Sequence, residues 1–214
     1  MEDPAFDSHN IALWDQAWGH YSIYARGWKR HGVRDIRRFT SPDFRTWSEP
    51  RYLDFGEAPI EHLYKNSAIP YYRRPDIILM FPKRFLPERT FDPERWEEKG
   101  LSDIVFMFSR DGIRFDRRYM EAFLRPGRNL LNWHDRAIEV GPTLVPTGPG
   151  EMSLYFVEHY KTPQVRIRRA VLREDGFVSL RGPYAGGSVL TQPLRFNGLE
   201  LVLNHAPRRQ EVCG

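Results

Sequence analysis

Between Ser102 and Arg117 the sequence SDIVFMFSRDGIRFDR leaves room for little besides one local structure. Ile104 to Phe108 is an apolar run of β-branched and aromatic type, too short for a globular helix and bounded by turn formers, and it predicts a buried strand. Asp111-Gly112 predicts a tight turn, because glycine tolerates positive φ and aspartate bonds its own backbone. Phe115, beyond that turn, is placed to fold back over the sheet the chain has just left. The unit of strand, turn and aromatic plug recurs. Ile36 to Thr40 leads into SPDFRTW, with Trp47 after Asp43, and Val165 to Leu172 leads into REDGFVSL, with Asp175-Gly176 at the turn and Leu180 at the later offset. The aspartates stand 68 and 64 residues apart. That period suits a four-stranded propeller blade with long loops and exceeds a solenoid repeat.

Six Trp, ten Tyr and fourteen Phe, with 17 Pro and 16 Gly punctuating the chain, favour β structure over long helices. At 214 residues and 41% hydrophobic the chain suffices for one sizeable domain. The 32 basic and 28 acidic residues leave +4, but the arginines are scattered at alternating positions without a lysine-rich run, so no nucleic-acid partner is expected. Cys213 is the lone cysteine, which excludes an internal disulfide or a cysteine-based zinc site, and the histidine spacings match no metal signature. No cofactor is expected. MEDPAFDSHN has neither a basic region nor an apolar stretch after it, and no apolar run approaches the ~20 residues that span a bilayer. The chain as written is expected to be soluble and cytoplasmic, with no membrane partner.

Ile11 to Trp14, the Asp15/Gly19 turn, Tyr21 to Ala25, Val33 to Thr40 and Pro50 to Phe55 make a first blade from about residue 7 to 56. The second opens at the polar cluster Glu61 to Asn66 before a strand at Ser67 to Tyr72, then Ile77 to Phe81. Residues 86–101, charged and proline-broken, predict a surface loop overhanging a binding face, with one helical turn at Pro93 to Lys99. The 102–117 unit and Arg118 to Phe123 complete that blade. A third begins at Asn132 to Arg136 and continues through Ile138 to Val145, Glu151 to Tyr160, Val165 to Leu172 and Phe177 to Leu180. Residues 1–185 are thus read as blades. Residues 186–214, with Leu190 to Phe196, Asn197-Gly198 and Leu199 to Leu203, are read as a closing hairpin or the start of a carboxyl-terminal β-sandwich.

The series DSHNIALWD, RRFTSPDFRTWSEP, EHLYKNSAIPYY, FPKRF, SDIVFMFSRDGIRFDR, LRPG, NW, GEMSLYFVEHY and REDGFVSLRGPYAGG resembles a family of bacterial five-bladed β-propellers. That family is distantly similar to glycoside hydrolase families 32 and 43, and the resemblance runs from Asp7 to about Asn204. It implies an all-β fold and a carbohydrate substrate or ligand. The glycosidase motifs WMNDPNG, RDP and EC are absent, so catalytic positions are not carried over. Five blades of ~65 residues need about 325. The expectation is therefore a partial five-bladed propeller, a carboxyl-terminal fragment whose missing amino-terminal blades are its partner.

In a propeller, polar residues just before each inner strand converge on the axis. Glycoside hydrolysis needs two carboxylates, one protonated and one ionised. Asp7 is the expected base or orienter and Glu61 the acid, with Glu158 as the alternative acid. Substrate binding is expected from His9, His62, Asn66, Lys83, Arg84, Trp133, Asp135, Arg136 and His159, the arginines through bidentate bonds to a sugar hydroxyl or an acidic sugar's carboxylate. Trp14, Tyr64 and Trp133 are candidates to stack on a sugar. Each has a plainer reading: Asp7 a turn cap, Glu61-His62 a loop pair, Lys83-Arg84 a surface strand end, Glu158-His159 a neutral hydrogen-bonded pair. A non-catalytic carbohydrate-binding propeller and a structural interaction module stand as alternatives to the enzyme.

Overall fold

The first blade forms where alternation and turn signals place it. In the computed structural model, which describes residues 8–29, 32–96, 98–195, 197–200 and 203, β1 (Ile11–Asp15), β2 (His20–Lys29), β3 (Val33–Ser41) and β4 (Arg51–Tyr52) pair antiparallel in sequence order. Gly19, at φ 64°, makes the β1–β2 turn and donates to the Asp15 carbonyl (2.8 Å).

The second blade has broken strands. β5 (His62–Tyr64) and β6 (Ile69–Tyr71) make up its inner strand, β7 (Arg74–Met80) and β8 (Lys83–Leu86) the next, and β9 (Leu101–Ile104) and β10 (Met107–Ser109) the third, with β11 (Phe115–Asp116) outermost. Two sheets result, β5-β8-β9 and β11-β10-β7-β6. The break between β7 and β8 falls at Phe81-Pro82, where proline has no amide hydrogen to continue the ladder. Three expectations are corrected. His62–Tyr64 is a strand rather than a polar approach to one, Ile104 to Phe108 is split between two strands, and Arg118 to Phe123 forms none. There the Arg118 amide bonds Asp116 Oδ1 (3.0 Å) and curls the chain away.

A 3₁₀ turn at Leu130–Asn132 precedes the third blade, β12 (Glu139–Gly148), β13 (Glu151–Glu158) and β14 (Arg166–Arg173). Phe177 to Leu180 adds no strand to it. Phe177 instead stacks on Phe106, centroids 5.2 Å apart and nearly parallel, and works as a plug. The chain divides into two units, Met1–Val178 and Ser179–Gly214. The described residues of the second carry no strand, and Leu190 and Leu199 there are fully exposed, so no buried face holds a pairing. Part of the expected hairpin lies outside the described residues.

Alternation explains the long apolar runs. Ile78 and Met80 point from β7 into a cluster with Tyr24, Ile36 and Leu63, while Leu79 and Phe81 point into another with Ile138, Met152 and Leu154. Val105 and Met107 join the first cluster, Ile104 and Phe106 the second. Both faces of the middle blade are interfaces, so its strands are apolar on both sides. Each fully buried side chain of this size contributes roughly 1.5–3 kcal/mol.

The corners are built alike in the first two blades. Ser41 Oγ bonds Asp43 Oδ1 (3.0 Å), which accepts the amides of Arg45 and Thr46 (2.8 Å each). Ser109 Oγ bonds Asp111 Oδ1 (3.0 Å), which accepts those of Ile113 (2.8 Å) and Arg114 (2.7 Å). Phe115 is buried with its ring edge-on to Tyr24 at 6.2 Å, as a plug should be. The third corner differs. Asp175 accepts the Tyr71 hydroxyl and the Arg73 guanidinium, tying the turn to the β6–β7 hairpin instead of to itself.

Candidate functional site

A cavity of about 510 Å³ opens beside the starts of the first and third inner strands and the break in the second, lined by Ser8, His9, Arg26, Tyr64, Lys65, Arg136, Glu139, Val140, Gly141, Val157 and Tyr160. Ser8 and His9 precede β1, Lys65 sits in the break between β5 and β6, and Glu139 opens β12. All three blades thus deliver polar groups to one place.

The middle contribution depends on an unusual backbone. Lys65 and Ser67 both have left-handed φ, 54° and 47°. Non-glycine residues resist that region, and it persists only where the surroundings over-determine it. Here Asn66 Nδ2 donates to the carbonyls of His9 (3.2 Å) and Tyr24 (3.0 Å), its Oδ1 accepts the Ala68 amide (3.1 Å), and Ser67 Oγ donates to the Val140 carbonyl (2.6 Å). The inner strand is pinned to the blade before it and the blade after it. Its period-two alternation breaks, and Lys65 reaches the cavity.

At the centre, Glu139 accepts Lys65 on Oε2 and Lys83 on Oε1. Lys83 has no exposed surface, whereas Lys65 keeps a quarter of its side chain accessible and lies over the Tyr160 ring at 5.7 Å. Burial pulls the Lys83 ammonium down to about 8, against the pull of Glu139. For Glu139, burial pushes upward, but the two lysines win and hold its carboxyl below the ordinary glutamate value. Burial, then the Lys65 charge, lowers His9, so it is neutral near pH 7. Tyr64 is pushed by burial to about 12 and stays a phenol.

The loop between β8 and β9 folds over the start of the third blade. Trp96 stacks on His134 (4.1 Å), Phe91 packs on Trp133 (5.2 Å), and Glu98 binds Arg136 Nη2 (2.5 Å) and Lys161 Nζ (2.9 Å). Of the expected helical turn at 93–99, the described residues show only a turn at 93–95. Asp135 holds Arg136 Nε at 2.7 Å. Burial opposes the charge on Asp135, yet hydrogen bonds from His134 and Arg136 and the nearby Lys161 keep its carboxyl far below the usual range.

Among the residues singled out from sequence, His9, Tyr64 and Arg136 line the cavity, Lys83 braces it from behind, and Asp135 fixes Arg136. Asp7 lies outside the described residues. The others serve elsewhere. Glu61 binds Arg84 Nη1 (3.1 Å) and Arg117 Nη2 (2.6 Å), and Arg84 forms a fork with Asp103 (2.8 and 2.6 Å). Lys83 and Arg84 are consecutive in a strand, so they face opposite ways. His62 Nδ1 accepts the Arg34 amide (3.2 Å), and burial lowers its basicity. Asn66 spends its amide on backbone. Glu158 is held by Arg166 (2.5 Å) and Arg168 (3.1 Å), and His159 uses its amide on Asn132 and its Nδ1 on the Gln164 carbonyl (3.2 Å). Trp133 is packed by Phe91 and donates Nε1 to the Gly127 carbonyl (2.9 Å). Trp14 lies against Tyr21 in an aromatic row away from the cavity.

Glu139, Lys65 and Tyr160 were not selected from sequence. Lys65 stood in the 61–66 cluster, and Glu139 opens a predicted strand, so the rule of polar residues at the inner-strand start reaches both once the breaks in the strands are known. Among the described residues no three of His, Cys, Asp or Glu are grouped to hold a metal ion.

No family model and no curated protein matches the sequence. An N-acetylgalactosamine deacetylase from F. plautii, solved with blood group B trisaccharide, superposes with a TM-score of 0.56 at 12% identity over 81% of this chain. The fold is a β-propeller's. The chain spans about half of that propeller neighbour, 51% of its length. A Bombyx mori GH32 beta-fructofuranosidase gives 0.45 at 11% identity, covering 78% of this chain and 36% of its own, too distant to add to the fold assignment.

Proposed function

We propose that the chain is a carbohydrate-binding propeller unit that holds a sugar in the 139/65/160 cavity without cleaving it. One observation carries this reading: among the described residues a single carboxylate, Glu139, lines the cavity, and it is clamped between two ammonium groups. Hydrolysis of a glycosidic bond requires a protonated acid beside an ionised base or nucleophile. Glu139 is held ionised, and Glu61 and Glu158 are spent on arginines outside the cavity. Binding needs an aromatic edge and fixed polar groups, which Tyr160, Tyr64, Arg26 and Arg136 supply. A solved neighbour of the same fold was crystallised with a trisaccharide, which supports a sugar as the ligand class. Three blades do not close a ring, and the same reading has further blades from outside this chain completing the wall.

Titration of the purified chain with a panel of neutral and acidic oligosaccharides tests the proposal. Saturable binding that falls at least about tenfold in Tyr160→Ala, with no release of reducing ends, is the expected result. Failure of every oligosaccharide to bind overturns it. Release of reducing ends that is abolished by both Glu139→Gln and Asp7→Asn establishes the hydrolase instead, with Asp7, which precedes cavity-lining Ser8 in sequence, as the second carboxylate.

A further inference from the structure

Among the described residues, charge around Glu139 does not balance. Glu139 is one carboxylate with two lysines on it, Lys83 entirely enclosed and Lys65 partly open to the cavity. Lys83 alone would neutralise Glu139, so the Lys65 charge is in excess. Arg26 and Arg136 line the same space. Around Arg136 the accounts close locally, since Glu98 and Asp135 together answer Arg136 and Lys161. At Glu139 the charge in excess is that of Lys65.

Position makes that surplus useful. Lys65 is held at left-handed φ by bonds that Asn66 and Ser67 make to two other blades, an arrangement whose local cost is offset elsewhere. Its ammonium lies over Tyr160, an aromatic with 38% of its surface exposed, so a sugar packed on that ring has a cation at its edge. A partly enclosed cation with one donor spent and two remaining is matched by an anionic acceptor. Because a carboxylate-bearing sugar brings one negative charge for the one that Lys65 carries beyond Glu139, it restores neutrality among Lys65, Lys83 and Glu139.

We infer that the ligand is an acidic sugar, of the uronic acid class, whose carboxylate binds Lys65 while its ring packs on Tyr160. This rests on the carbohydrate-binding reading above and specifies it.

The experiment titrates the chain calorimetrically with a galacturonate trisaccharide and a glucuronate-containing tetrasaccharide. Each is paired with the same oligosaccharide after its carboxylates are reduced to alcohols. The expected result is an affinity at least about tenfold higher for the acidic member of one pair, lost in Lys65→Gln and retained in Lys65→Arg. The preference should also shrink between low salt and about 0.2 M salt. Lys65→Gln leaves the Lys83–Glu139 pair neutral and is expected to fold; should it not, wild-type preference and its salt dependence decide. Equal affinity for acidic and reduced forms, or a preference that survives Lys65→Gln, overturns the inference while leaving the carbohydrate reading intact. Absence of binding by all four oligosaccharides overturns both.

Discussion

Lys83, without any exposed surface, ends on the carboxylate of Glu139 across the boundary between the second and third blades. Taking an ammonium out of water costs several kcal/mol unless it is paired. Removing the carboxylate is therefore expected to be worse than removing the lysine. Glu139→Gln should lower the unfolding free energy by about 3 kcal/mol, whereas Lys83→Met, which leaves Glu139 with Lys65, should stay within about 1.5 kcal/mol of the parent. Urea unfolding of both variants makes the comparison.

Stability should also depend on alkaline pH through the same lysine. The Lys83 ammonium titrates near 8 when folded and at its ordinary 10.5 when unfolded. Between those values the unfolded chain binds the extra proton, so this group's contribution to stability rises with pH from about 8 to about 10.5. Below 8 the cost of burying the charge is fully present. Comparing parent and Lys83→Met at pH 7 and pH 10 should show the parent gaining relative to the variant at the higher pH.

Glu61 offers a negative control. It bridges Arg84 and the buried Arg117 away from the cavity. Glu61→Gln should leave oligosaccharide affinity unchanged and cost about 2 kcal/mol of stability, from the weakened pairing of Arg117. A loss of binding measured by calorimetry, with the fold intact by circular dichroism, would contradict the placement.

Asn66 tests the backbone that aims Lys65. Asn66→Ala strips a donor from two carbonyls and an acceptor from the Ala68 amide, all in a buried setting. The expected cost is about 3 kcal/mol, together with weaker oligosaccharide binding in the variant that remains folded. Thermal unfolding and titration of the same preparation give both readings.

Much of the architecture was legible in the sequence because it rests on local chemistry. The β1–β3 hairpins follow from alternation and turn residues, and Asp111-Gly112-Ile113-Arg114-Phe115 encodes its own corner. Where the reading failed, tertiary pairing decided. His62–Tyr64 looks too polar for a strand until β8 is seen to pair with it, and Asp175 looks like the other corner aspartates until Tyr71 and Arg73 take its carboxylate. The candidate site was legible as a rule and in part as residues, since His9, Tyr64 and Arg136 were selected and Lys65, Glu139 and Tyr160 were not. Polar groups do gather at the first and third inner-strand starts, yet in the second the contribution comes from the left-handed break at Lys65 and Ser67, inside the strand that begins at His62. No propensity marks a lysine for that conformation.

The double clamp at Asn66 and Ser67 has a modular consequence. One residue fastens the inner strand backward to the first blade and the next fastens it forward to the third, so the geometry of the cavity belongs to the assembled trio and to none of its members. A single blade expressed or transplanted by itself would carry one wall of the cavity, and only a graft that moves all three together would carry the cavity to another scaffold.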